Sequence, residues 1–352
     1  QDLSNWDVSN VLAMYGMFQN ATSFNQDLSN WDVSSVTEMA DMFQNAVSFN
    51  QNLSNWDVSN VVAMYGMFHN ATSFNQNLSS WNVSNVTNMH SMFANAHSLD
   101  GDVSSWDVSS VENMMFMFAG CESFNQDLSM WDISNVTEIT GMFENASSFN
   151  QDISNWNVSN ILNMSSLFEN ASSFNQDISN WNVSAVEIMS AVFQNAVNFD
   201  QDLSLWNISS VQEMPDIFNN TSLSDLNKCN IENTFSSNPA WPYDWISFCN
   251  LKTEESTHFP KYFRVYQNHP NPFNPTTQIK FYLPNENMVS ITIYDVMGRN
   301  IRTLMNLNQS AGYHSIHWDG KNDIGEGVAA GMYIYTIQAG EFRATKKMVL
   351  LK

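Results

Sequence analysis

The stretch FNQDLSNWDVS (Phe24–Ser34) decides how this chain is read, because nearly the same words return every 25 residues. Trp stands at positions 6, 31, 56, 81, 106, 131, 156, 181 and 206. Phe keeps the same step from Phe18 to Phe218, and a third column runs from Met14 to Met214 with the single exception of Ile139. Nine copies without an insertion predict a solenoid, in which each unit buries its apolar edge only against its neighbours.

Within one unit, Leu28, Trp31 and Val33 are spaced as in a short strand. Val36, Met39, Met42, Phe43 and Ala46 then follow steps of three and four, which predicts a short helix with one buried face. Ser35 with Glu38, and Ser210 with Glu213, match a capping box at its start. Asn45 and its equivalents Asn20, Asn70, Asn95, Asn145, Asn170, Asn195 and Asn220 mark its end, with Gly120 in the remaining copy. Asn and Gly share a tolerance of the left-handed conformation that closes helices. Pro215 inside the last copy argues for a short helical turn. The expected fold is therefore an α/β repeat solenoid of nine coils, each a short strand plus a short helix, extending about 40 Å. A purely β solenoid is the alternative.

Charge separates the chain into two parts. Residues 1–227 hold 25 Asp or Glu and no Lys or Arg, whereas residues 228–352 hold all 12 bases and the other 10 acids. Such a surface disfavours nucleic acid and anionic membranes, since phosphate contacts begin with Lys or Arg. Cations, neutral glycans or a basic partner fit it. No run of apolar residues is long enough to cross a membrane. The chain starts at Gln1 without a signal sequence, as a mature or trimmed product would.

Stacking turns each repeated residue into a row. The Asn25 and Ser9 columns suit turn positions, where amide and hydroxyl groups satisfy backbone that a coil would leave unpaired. The carboxylates at Asp7, Asp32, Asp57, Asp107 and Asp132 are harder to explain, since like charges about 5 Å apart repel. They are either solvated and screened or a ladder for calcium, a hard cation that takes several oxygen ligands. The glycine-and-aspartate nonapeptide of calcium-binding β-rolls is absent. No other cofactor is expected. The seven histidines fit no zinc spacing, and no nucleophile elbow or phosphate loop occurs, so the chain does not read as an enzyme.

After Asn220 the pattern breaks. Trp241, Tyr243, Trp245 and Phe248 are placed to cover the last coil, and Cys229 with Cys249 is spaced for a disulfide across this cap. Cys121 replaces a column alanine and reads as a small buried thiol. The divisions are 1–225 for the repeats, 226–250 for the cap, 251–264 for a linker and 265–352 for a second domain. That domain shows alternating stretches at 278–283, 289–296, 299–305, 313–318, 332–338 and 342–350, separated by turn signals. Six or seven short strands predict an immunoglobulin-like sandwich without the core disulfide. At the other end, Gln1 falls inside a repeat with no covering segment, an open edge suited either to further upstream repeats or to head-to-tail contact with a second copy, the latter giving a homo-oligomer, filament or surface layer.

Two resemblances attach to these residues. The L-x-x-W-x-V spacing followed by VTEMADMFQNAVSFNQ (36–51) resembles the leucine-rich-repeat-like surface repeats of the BspA type, also seen in mycoplasma lipoproteins. It implies a curved solenoid at the cell surface or outside the cell, with adhesion or an unknown role and no reaction; a surface glycan or a host or cell-surface protein is the partner expected of such a surface protein. Residues from about 266 to 352 resemble the type A C-terminal sorting domain of the type IX secretion system. NPFNP (Asn271, Pro272, Phe273, Asn274, Pro275), YDVMGR, WDGKNDIGE, GMYIY and the terminal KKMVLLK with Lys346, Lys347 and Lys352 carry that likeness. It implies export across the outer membrane by the type IX translocon and a place on the cell surface or in the medium.

Overall fold

The computed structural model describes residues 2–249, 263–268 and 271–351. The chain divides into two compact units, Gln1–Leu251 and Lys252–Lys352. Most of the expected linker, 251–262, lies outside the described residues, as does Lys352.

In the first unit single parallel bridges join successive coils from Ala13 through Glu38, Ala63, Asn88 and Asn113 to Glu138, and again from Asn163 through Ile188 to Glu213, while Gly141 and Phe143 donate their amides to Ser165 and Leu167 between the two series. The expected helix is absent: among the described residues before 225 there is no α-helix, and no strand exceeds a single bridge residue. What replaces it is a run of tight turns whose backbone bonds alternate in direction. Met39, Asp41, Phe43 and Asn45 donate their amides to Ala63, Tyr65, Met67 and His69 of the next coil at 2.7–3.1 Å. The intervening amides close locally, from Met42 to Met39, Gln44 to Asp41 and Ala46 to Phe43 at 3.0–3.3 Å. A seven-residue segment is too short to nucleate a helix unaided, and a neighbour presenting a matching row of carbonyls wins the amides.

Such turns need left-handed residues at their third position. Asn45 has φ 58° and Gly120 φ 70°, so the Asn/Gly column has the predicted backbone, although it closes a turn and not a helix. A second left-handed column falls four residues earlier, at Gly16, Asp41, Gly66, Ser91, Phe116, Gly141, Ser166, Ala191 and Asp216. Only three of these are glycine, and the ladder on either side holds the others there.

The core of this unit is one cluster running from Val8 to Phe235. The phenyl rings stack along the coils, with Phe43 and Phe68 at 5.5 Å and Phe118 and Phe143 at 5.8 Å between centroids. Each buried Trp indole donates to the carbonyl of the preceding coil, as Trp56 does to Leu28 at 3.0 Å. A buried indole that lacked this acceptor would be costly.

The last coil is closed by a segment that imitates a further coil. Phe193 donates its amide to Ile217 of the next coil at 2.9 Å, whereas Phe218 donates to the Tyr243 hydroxyl at 3.0 Å. Gln201 reaches the Asn175 carbonyl and side chain through Nε2, and Asn227 Nδ2 reaches those of Asp200 in the same way. Helix α1 (Asp225–Phe235) is capped by Ser224, and Trp241 and Trp245 pack on Phe218. Phe248 has a different role: the Lys228 ammonium lies over its ring at 4.6 Å. A disulfide joins Cys229 of α1 to Cys249 of the short helix α2 (Ile246–Cys249).

The second unit is all antiparallel β within its two sheets. Strands β1 (Arg264–Val265), β2 (Thr277–Leu283) and β5 (Gly312–Trp318) form one sheet, in the order β1-β2-β5. Strands β3 (Asn287–Asp295), β4 (Asn300–Gln309), β6 (Gly331–Ala339) and β7 (Phe342–Leu350) form the other, in the order β4-β3-β6-β7. Phe281, Trp318, Ile291, Ile293, Tyr335 and Met348 fill the space between them. Phe263 is buried in this core and Arg264 pairs with Tyr282, so the unit begins ahead of position 265.

Candidate interaction surface

The repeated polar residues serve the backbone. Asp32 Oδ1 accepts both the Ser34 amide at 3.1 Å and its hydroxyl at 2.6 Å. Asp7 and Asp107 do the same with Ser9 and Ser109. Asp57 and Asp132 accept the amides of Ser59 and Ser134 at 3.0 Å. The Asp2 column follows suit, with Asp27 holding the Ser29 amide at 2.9 Å. Hydrogen bonds from the serine hydroxyl and then its amide hold the Asp7, Asp32, Asp57 and Asp107 carboxyls below the ordinary carboxylate range. The five expected calcium ligands thus stand in separate coils, each bonded to its own turn. No group of three or more His, Cys, Asp or Glu able to hold a metal ion occurs among the described residues. The sequence signal for this duty was the D/N-x-S spacing, which is that of an Asx turn.

The amides form ladders between coils. Asn70 Nδ2 donates to Asn45 Oδ1 at 2.6 Å, and Asn95 to Asn70 at 2.9 Å. Asn25 Oδ1 accepts the Asn50 amide and Gln51 Nε2, both at 2.9 Å. These residues hold one coil to the next and have little left for a ligand.

Two columns vary along the coils instead of repeating one residue type. The Tyr15 position reads Tyr, Ala, Tyr, His, Met, Thr, Ser, Ser and Pro along the nine coils. The Leu12 position reads Leu, Thr, Val, Thr, Glu, Thr, Leu, Glu and Gln, and Leu12, Val62 and Leu162 are exposed there. The tryptophans, by contrast, are committed to the core, apart from Trp6 at the first coil.

In the second unit the two terminal motifs meet. Phe273 donates its amide to Val349 and accepts from Leu351, while Asn271 Oδ1 accepts the Val349 amide at 2.8 Å. Phe273 is buried, and Pro272 and Pro275 both follow cis peptide bonds. Asn274 lies within the same segment. Lys346 and Lys347 lie on β7, opposite Tyr335 and Ile334. In the WDGKND loop Asp319 pairs with Arg302 and Lys321, and Asn322 Oδ1 accepts the amides of Ile324 and Glu326. That loop is a braced turn.

The architecture is that of a repeat protein with an immunoglobulin-like domain at the C-terminal side. Residues 1–100, 76–172 and 152–239 match the family described as Mycoplasma protein of unknown function, DUF285. These matches span more than half of the chain, and the chain belongs to that family. Residues 271–341 match the FlgD Ig-like domain. Among solved structures, dimeric latent PorU from Porphyromonas gingivalis is similar at 21% identity over 25% of this chain and 9% of that one, with a TM-score of 0.22. PorZ, titled an essential surface component of the type-IX secretion system of the same organism, is 19% identical over 25% of this chain and 11% of its own, with a TM-score of 0.20. FlgD from P. aeruginosa is 27% identical over 21% of this chain and 57% of that one, with a TM-score of 0.18. The chain thus spans about a tenth of the length of PorU and PorZ. No curated protein matches it. No helix among the described residues is long and apolar enough to cross a membrane.

Proposed function

We propose that this chain is a non-catalytic interaction protein displayed on or released from the cell surface, built as a nine-coil solenoid and exported by the type IX route. The observation that carries the reading is the division of labour on the repeat surface. The constant polar columns are bonded to backbone or to each other, while the largely exposed Leu12 column and the mostly half-buried Tyr15 column change from coil to coil. A scaffold that repeats its framework and varies one face is suited to binding and offers no gathered catalytic set. The disulfide between Cys229 and Cys249 fits an oxidising compartment. Export is supported by the NPFNP and KKMVLLK motifs. Surface labelling of cells of a type IX-secreting bacterium tests it: the full chain should be labelled and a chain lacking 252–352 should stay inside. Equal labelling of both would sink the export reading.

Self-assembly is a further part of this proposal. Trp6 and Met17 are exposed on the first coil while their counterparts Trp31 and Met42 are buried, and a coil of the same register, from this chain or another, would cover them. Electron microscopy over a concentration series separates filaments from dispersed particles. Calcium binding and glycan capture by the polar face form the weaker reading, because each ladder carboxylate is already bonded to a serine. Calorimetry with calcium chloride and a glycan array test its two halves.

A further inference from the structure

One carboxylate departs from the ladder pattern. Asp41 is only 9% exposed, and it lies in the left-handed column at φ 54°. Its Oδ1 fills the space above Gly66 that a β-carbon would need, so glycine in the third coil is what lets the carboxylate lie down. Gln44 Nε2 donates to it at 3.0 Å, and the Tyr15 hydroxyl is near enough to favour its charged form. The backbone holds Asp41 between two tyrosines. Gly16, beside Tyr15, donates to the Ala40 carbonyl, and the Asp41 amide donates to the Tyr65 carbonyl. Tyr15 is 55% exposed, Tyr65 is half-buried, and Ala40 between them is buried and small.

This buried acid has no counter-charge of its own. Among the described residues no ion pair involves Asp41, and the sequence holds no Lys or Arg before Lys228. Burial pushes its carboxyl up, against the opposing pull of the Tyr15 hydroxyl and of His69 and His90. A carboxylate withdrawn from water without a cation is the costly half of an ion pair, and the missing half would be welcome there. Tyr15 and Tyr65 stand at the matching positions of the coils before and after, and tyrosine ring faces attract ammonium and guanidinium groups.

We propose that Tyr15, Asp41, Gln44 and Tyr65 form a socket for one lysine or arginine side chain presented by a basic polypeptide partner. The inference rests on the reading of this chain as an interaction protein and names its partner's chemistry. The 25 acids and absent bases of residues 1–227 steer such a partner toward the face from a distance, while the socket fixes where it docks. An anionic ligand would meet the same field with the wrong sign. A neutral glycan could use the rings and amides, but would not need the charge on Asp41.

Calorimetry of the full chain at near-physiological salt, titrated with hexalysine, hexaarginine and Nε-acetylated hexalysine, tests this. The two cationic peptides should bind and the acetylated one should not. Asp41→Asn should weaken binding by about tenfold or more, whereas Glu122→Gln, an equal loss of charge at an exposed site outside the Leu12 and Tyr15 columns, should cost about twofold or less. Asn accepts the left-handed backbone, so the fold survives the substitution. Tyr15→Ala, on an exposed ring, should weaken binding by about threefold to tenfold with Asp41 still present. Equal losses in Asp41→Asn and Glu122→Gln, equal binding of the acetylated peptide, or no binding of any peptide would each overturn the socket. Failure here leaves the surface-labelling result untouched, so the two readings fall separately.

Discussion

The two units bury their cores by opposite strategies. In the repeats one residue does one job nine times, and its partners are copies of itself in the coils before and after. Phe118 lies among Phe93, Phe124 and Phe143 with ring centroids 4.1–5.8 Å apart. In the sandwich each core residue is used once: Trp318 meets Phe273 and Tyr333, and its indole donates to the Lys321 carbonyl at 2.8 Å. Antiparallel strands also pair along their length, nine residues to nine between β6 and β7, whereas a coil has one bridge residue and a row of turns. The repeat unit is therefore ordered mainly by contacts between coils, and the sandwich by strands that carry their own period.

That difference has measurable consequences. Phe118→Ala should be the heaviest single loss, about 3–5 kcal/mol in denaturant unfolding, because the ring is fully buried with neighbours on both sides. The same change at Phe18, which is 9% exposed on the first coil, should cost distinctly less. Equal losses would mean that coil stacking adds nothing to a coil's own packing. Next in size, Cys229→Ser should cost about 3 kcal/mol by opening the loop that ties α1 to α2, and reductant should have the same effect on the unaltered chain. Thermal unfolding with and without reductant reads it directly.

A smaller effect has the opposite sign. Ala191 is held at φ 56°, so Ala191→Gly should stabilise the repeats by about 0.5–1 kcal/mol, the relief of left-handed strain exceeding the added chain entropy. A loss would show that the methyl group is packed and not merely tolerated. Acid supplies the smallest effect per residue. The Asp7, Asp32, Asp57 and Asp107 carboxyls are held low by their serines, so their contribution is complete above the unfolded value of about 4 and disappears as the pH falls through the lower folded values. The melting temperature of the repeats should drop in that acid range. Replacing Ser9, Ser34 and Ser109 together by alanine should flatten the drop, since those hydroxyls donate to the carboxylates.

Much of this was legible in the sequence. The Trp31, Phe43 and Met39 columns are buried as their period demands, and the six alternating stretches of the second unit became β2 to β7. The helix was misread for a physical reason. Steps of three and four at Val36, Met39, Met42, Phe43 and Ala46 mark one buried face, and a chain of three-residue turns presents that face as well as a helix does. The turn duty of the Asp columns went unseen for a related one. A carboxylate two residues before a serine looks like a free charge in a column, while locally it is a turn acceptor. The socket gave no sequence signal, because Asp41 and Gly66 occupy one column without sharing a residue type.

The sequence by itself determined the 25-residue period, the core columns, the Asn/Gly left-handed position and the acidic face, since these depend on residue type and spacing alone. Only the tertiary structure decided where the amides of each coil go. A donor such as the Asp41 amide has a local carbonyl and a neighbouring one within reach, and stacking awards it to Tyr65 of the next coil. The same choice replaced the helix with turns, put Asp41 and Ala191 in left-handed backbone, and left FNQDLSNWDVS with its tryptophan in the core and its aspartates bonded to serine.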